Sequence, residues 1–112
     1  MILIFGGAYQ GKLDYARERF KDKDKDNKII DGIDKWVLEL VRKNDDVEEA
    51  VREFIADNPD AVVICCDISC GVVPVDPVMR KWREAVGRAL AMLARESDEV
   101  IRLFCGIPTR IK

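Results

Sequence analysis

Gly6-Gly7-Ala8-Tyr9-Gln10-Gly11-Lys12-Leu13 forms a G-x-x-x-x-G-K string directly after five apolar residues, Met1-Ile2-Leu3-Ile4-Phe5. Glycines in such a loop let successive backbone N–H groups converge on phosphate oxygens, and the lysine neutralises β- and γ-phosphate charge. The residue after the lysine is normally Ser or Thr, whose hydroxyl helps to hold Mg²⁺. Here it is Leu13, which cannot ligate a metal. Lys12 to Phe20 reads as a helix, so the string stands in the strand, loop, helix context that the chemistry requires. The bland reading of the same residues is a glycine-rich β-to-α turn with an exposed lysine and no ligand.

Phosphoryl transfer needs positioned phosphates, a metal ion that bridges them and an oriented acceptor hydroxyl, because its catalysis is mostly positioning and electrostatic stabilisation. The Gly6 to Leu13 loop supplies the first requirement for ATP or GTP. Asp31 ends the apolar run Ile29-Ile30, and Asp67 ends Val62 to Cys66, as metal-holding carboxylates at strand ends would. The expected site therefore has Lys12 and Asp67 as catalytic groups, with Asp31 and Asp67 holding Mg²⁺. Each aspartate read alone could equally cap the next helix or turn.

The elements that must position these groups alternate between strand and helix. Met1 to Phe5, Lys28 to Asp31, Val62 to Cys66 and Val100 to Cys105 read as strands, with helix-period segments between them. Val47, Ala50, Val51, Phe54 and Ile55 form one apolar helical stripe, ended by Asn58-Pro59-Asp60. Val78, Trp82, Ala85, Val86, Ala89, Leu90 and Leu93 form a longer one, with Pro77 in its first turn. Trp36, Val37, Leu40 and Val41 form a third. This alternation predicts an α/β fold with a small, mostly parallel sheet of about four strands flanked by helices, and with the Gly6 to Leu13 loop the expected fold is of the phosphate-loop, three-layer type. In such a sheet ligands bind at the carboxyl ends of the strands, where the loop and both aspartates would meet.

The chain has 112 residues, 48% of them apolar, and a formal net charge of −2, which fits one domain, residues 1–112, with a core. Its basic residues are dispersed, so neither nucleic acid nor an anionic membrane is an expected partner. No apolar run reaches membrane-spanning length, and a cytoplasmic location is expected. There is no histidine, which removes Ser-His and Cys-His catalysis, histidine metal sites and any phospho- or nucleotidyl-histidine. Cys65, Cys66, Cys70 and Cys105 read as reduced thiols mostly in apolar surroundings, because C-C-x-x-x-C is not a zinc-knuckle spacing. Lys21 to Lys28, KDKDKDNK, reads as a solvated, mobile connection.

Ordered matches along the chain give a more specific indication. Cys65-Cys66-Asp67-Ile68-Ser69-Cys70-Gly71-Val72-Val73-Pro74, then seven residues, then Trp82-Arg83-Glu84-Ala85-Val86-Gly87, resembles the T-N-E-V-G-x-G-I-V-P and F-R-D-x-x-G motifs of the adenosylcobinamide kinase/adenosylcobinamide-phosphate guanylyltransferase family of cobalamin biosynthesis. The terminal Cys105-Gly106-Ile107-Pro108-Thr109-Arg110-Ile111-Lys112 is similar to its S-G-I-P-x-x-x-K. Met1 to Leu13 is similar to its M-I-L-V-T-G-G-A-R-S-G-K-S, and Asp31 to Trp36 to its D-C-L-T-x-W. The resemblance implies ATP or GTP with Mg²⁺ as ligands, a cobinamide-type alcohol as acceptor and a trimeric assembly.

The departures from that pattern fall on polar positions. The family's second strand and the helix bearing its guanylylated histidine are replaced by residues 21–28, so guanylyl transfer through that intermediate is not expected. Thr-Asn-Glu has become Cys65-Cys66-Asp67, the loop's Arg-Ser-Gly-Lys-Ser has become Tyr9-Gln10-Gly11-Lys12-Leu13, and an Asn-Gln in the long helix is Leu90-Ala91. Two functions are compatible with this set: a kinase acting on a cobinamide-type alcohol, with Mg²⁺ held through water, or a catalytically inactive relative that binds a nucleotide or another subunit.

Overall fold

A computed structural model of the chain describes residues 1–68 and 75–112. The element order is β1 (Ile2–Gly6), α1 (Lys12–Arg19), α2 (Lys21–Lys25), β2 (Ile29–Ile30), α3 (Ile33–Arg42), α4 (Val47–Asp57), β3 (Val62–Cys66), α5 (Pro77–Glu96), β4 (Glu99–Phe104) and β5 (Ile107–Arg110). The strands form one sheet in the order β2-β3-β1-β4-β5. β1 lies parallel between β3 and β4, with Ile4 opposite Ile64 on one side and Ile101 on the other. β2 adds parallel to β3, and β5 closes the far edge antiparallel to β4.

Alternating strand residues divide the core into two apolar layers, as a period of two requires. Leu3, Val63, Cys65 and Val100 face Val37, Val51, Val86, Ala89 and Leu93 of α3, α4 and α5. Ile4, Val62, Ile64, Ile101 and Leu103 face Ala16 of α1, with Leu13 and Phe20 packed against them. The result is the expected three-layer α/β arrangement. Burying each such aliphatic side chain stabilises the fold by about 1.5–3 kcal/mol. Trp36 and Phe54 join α3 to α4, with ring centroids 5.3 Å apart.

Helix ends follow local chemistry. The Asp46 carboxylate accepts from the Glu49 amide at 3.2 Å, and Asp76 accepts from the Val78 amide at 2.8 Å, with Pro77 in the first turn of α5. Asn58 closes α4, its Nδ2 donating to the Phe54 carbonyl at 2.9 Å. No helix among the described residues is long and apolar enough to cross a membrane.

Three expectations are corrected. The four expected strands are present, but a fifth, β5, was not anticipated; all its residues are exposed, so it carries no apolar alternation. Pro108 in it is tolerated because the strand lies at the edge. Residues 21–25 of the charged segment form the short helix α2. It is solvent-facing as expected, with no buried residue, but it is helical rather than an irregular connection. Cys105 is exposed in the β4–β5 turn rather than packed. Cys65 is buried and Cys66 half-buried. Cys70, with the rest of 69–74 in the family-like motif, lies outside the described residues.

Gly6 has a role in the sheet itself. A Cβ placed there would lie 2.3 Å from the Leu103 carbonyl oxygen, and φ is +155°. Gly6→Ala is expected to destabilise the protein by at least about 2 kcal/mol in urea unfolding, through overpacking and backbone strain. Unchanged stability would show that β1 and β4 can separate at this point.

Candidate functional site

β1 leaves the sheet between the two strands that flank it, and the loop from Gly7 to Gly11 arches over the carboxyl ends of β1 and β3 before α1 begins. The chain connection from β1 runs toward β2, whereas that from β3 runs to β4 on the other side. Diverging connections of this kind open a crevice at the strand ends. It is a cleft of about 620 Å³ lined by Ala8, Tyr9, Gln10, Gly11, Lys12, Leu13 and Asp14 from the loop and α1, Asp31 to Lys35 without Ile33, and Ile64, Cys66, Asp67 and Ile68.

Within the loop, Gly11 has φ +82°, and a Cβ there would meet nothing within 4 Å. Its left-handed backbone, rather than crowding, is what favours glycine. Tyr9 also has positive φ, 59°, and its side chain is wholly exposed. Lys12 is 7% exposed, and its ammonium donates to the Gly7 carbonyl at 2.6 Å. Among the described residues the amides of Ala8, Tyr9, Gln10 and Gly11 donate no hydrogen bond, so these donors remain available to an anion. Gly6 and Gly7 do not line the cleft. Gly6 packs on β4, its carbonyl accepting from the Asp67 amide at 2.8 Å, and Gly7 receives the lysine.

The structure brings Asp31 and Asp67 into the same cleft as Lys12. Asp31 stands just before α3, its Oδ1 accepting from the Gly32 amide at 2.8 Å. Leu13 lines the cleft and packs against the α1-side core. Asp34 was not anticipated. It is 7% exposed, its Oδ1 accepts from the Cys66 amide at 3.2 Å, and its backbone carbonyl accepts from Trp82 Nε1 at 2.7 Å. In sequence it looks like an ordinary acidic residue in the first turn of a helix; only the end of β3 lying against that turn gives it a buried partner.

The cleft's charges are Lys12 and Lys35 against Asp14, Asp31, Asp34 and Asp67. A polyphosphate entering beside four carboxylates needs a divalent cation with it. Mg²⁺ suits this set of hard oxygen donors, being held ordinarily by one or two carboxylates together with phosphates and water. Among the described residues no group of three or more His, Cys, Asp or Glu could hold a metal, so phosphate oxygens would have to complete the coordination. Burial, followed by the Asp34, Cys66 and Asp67 charges, pushes the Cys65 thiol up, against an opposing effect of Lys12; Cys65 stays a neutral core group. A larger hollow of about 720 Å³ lies between α4 and α5, lined by Arg52, Arg88 and Arg95 among others. It has neither a glycine loop nor converging strand ends.

These features define an α/β protein with a loop-and-carboxylate cleft at the carboxyl edge of a mostly parallel sheet. The family model for cobinamide kinase / cobinamide phosphate guanyltransferase matches residues 18–111, and the chain belongs to that family, one of nucleotide-related proteins of cobalamin biosynthesis. The match begins after the Gly6 to Leu13 loop, so the loop and the family membership are separate observations. Among curated proteins, no sequence matches the chain.

Removing the buried Asp34 carboxylate by Asp34→Ala leaves the Cys66 amide without its acceptor, for an expected loss of about 1–3 kcal/mol in chemical denaturation. A variant as stable as the parent would mean that water takes over that bond.

Proposed function

We propose that the chain binds ATP or GTP with Mg²⁺ in the cleft between the Ala8 to Leu13 loop and Asp67, and that it phosphorylates a cobinamide-type alcohol there. The observation that carries this reading is the convergence, at adjacent strand ends, of undonated loop amides, a buried lysine and two aspartates. The loop amides receive phosphate oxygens. The Lys12 ammonium exchanges the Gly7 carbonyl for the β/γ-phosphates, a charge-assisted contact stronger than the one it replaces. Mg²⁺, when bound, neutralises phosphate charge, with Asp31 and Asp67 as the residues that would hold it. In transfer, the acceptor oxygen bonds to the γ-phosphorus as the bond to the bridging oxygen breaks; the nucleoside diphosphate leaves, and Asp67 takes the hydroxyl proton. Guanylyl transfer is not part of this reading, since the chain has no histidine to carry the family's intermediate.

Leu13 favours a second reading, a member that binds nucleotide without turnover. An apolar side chain packed on the core stands where the metal-holding hydroxyl would be, and the other changed polar positions point the same way.

Calorimetry with Mg²⁺ and ATP or GTP is expected to show saturable one-site binding, weakened about tenfold or more by Lys12→Ala, in line with loss of a charge-assisted hydrogen bond. Failure of both nucleotides to bind, or equal binding by the variant, would contradict both readings. Release of diphosphate that depends on added cobinamide supports the kinase; binding without it supports the non-catalytic member.

A further inference from the structure

Gln10 joins two parts of the chain that are 95 residues apart: its Oε1 accepts a hydrogen bond from the Cys105 amide in the β4–β5 turn. Its Nε2 donates in turn to the Ala8 carbonyl at 3.4 Å. The orientation of the amide is fixed by chemistry, because a backbone N–H can only donate and so must face the oxygen.

Both segments tied by this side chain hold conformations that L-residues disfavour. In the loop, Tyr9 has φ 59° and Gly11 φ 82°; in the turn, Cys105 has φ 52° and Gly106 φ 75°. Positive φ at both central residues of a two-residue hairpin loop is the geometry usually filled by Asn-Gly or Gly-Gly. Cysteine at the first of these positions has no such intrinsic preference. The loop is pinned at its base, where Lys12 donates to Gly7 and Asp67 donates to Gly6. Apart from the Gly11 carbonyl, which accepts from the Tyr15 amide of α1 at 3.0 Å, its crown from Ala8 to Gly11 is tied to the rest of the described residues by hydrogen bonds only through Gln10.

We propose that Gln10 is a positioning residue: by tethering the crown of the loop to the β4–β5 turn, it holds the Ala8 to Gly11 amides in the arched shape that accepts phosphate. The role rests on the nucleotide reading of the preceding section. Without the tether, Tyr9 can relax out of its left-handed conformation and the amides no longer converge. Linkage makes the effect reciprocal: a ligand that selects the arched loop also tightens the hairpin. The tether couples the edge of the sheet to the cleft at its centre.

Amide hydrogen exchange by NMR on the full chain, without nucleotide, tests the tether directly. Gln10→Ala is expected to speed exchange at the Cys105 amide about fivefold, the usual net worth of one hydrogen bond, with amides of the buried strand β3 unchanged. Gln10→Glu keeps an acceptor for that amide and is expected to restore its protection. Gln10→Ala is also expected to weaken binding of Mg²⁺ with ATP about fivefold, and saturating nucleotide should slow Cys105 exchange in the parent but not in this variant. Unchanged Cys105 exchange in Gln10→Ala would overturn the tether; faster exchange with unaltered nucleotide affinity would overturn the positioning role. If the parent chain binds neither ATP nor GTP, the nucleotide reading fails by itself, and the exchange comparison, which needs no nucleotide, still decides whether the tether exists.

Discussion

The end of β1 is where the fold and the cleft constrain each other most tightly. At Gly6 the backbone passes so close to β4 that a single carbon would lie 2.3 Å from the Leu103 carbonyl oxygen. Its own carbonyl holds the Asp67 amide at the end of β3. One residue without a side chain thus sits between both neighbouring strands and fixes where the loop starts and where Asp67 stands. The glycine that the sequence motif offers as a phosphate ligand serves first as a packing element of the sheet, and the loop's geometry follows from it.

From that point the chain has little freedom. The central strands β1 and β3 are largely buried on both faces, so their register is set by the apolar layers above and below, and the strand ends they align are polar. Burial of Lys12 without a carboxylate partner among the described residues costs desolvation that its one carbonyl contact only partly offsets. An incoming anion would recover that cost. The surplus of aspartates around the same cleft limits which anions could do so, since a bare polyphosphate is repelled where one accompanied by a divalent cation is not. Leu13 alters this balance by replacing a hydroxyl with a group that serves the core.

Most of the architecture was legible because it rests on apolar patterning. The four parallel strands are short apolar runs and the stripes of α3, α4 and α5 recur about every 3.6 residues, and sheets and helices bury those patterns in only a few ways. β5 escaped because every residue in it is exposed, so no pattern marks an edge strand held by backbone pairing alone. α2 escaped because a helix with no buried residue leaves no apolar periodicity in the sequence. In the cleft, the loop, Asp31 and Asp67 could be placed from strand-end logic. Asp34 could not, since its significance comes from β3 reaching the first turn of α3. The Gln10 link to Cys105 depends on two turns meeting across 95 residues, which no local pattern encodes. Family membership through residues 18–111 agrees with the resemblance read from the motifs that follow the loop, although the motif part at 69–74 lies outside the described residues.

The central claim is that nucleotide phosphates bind at the arched loop and not elsewhere on the molecule. Backbone amide chemical shifts, followed by NMR as Mg²⁺ and ATP are added to the full chain, report this residue by residue. The account predicts the largest changes from Ala8 to Leu13 and at Asp67 and Ile68, with the α4–α5 hollow around Arg52, Arg88 and Arg95 unaffected. Changes centred on that hollow, or none at the loop, would contradict it.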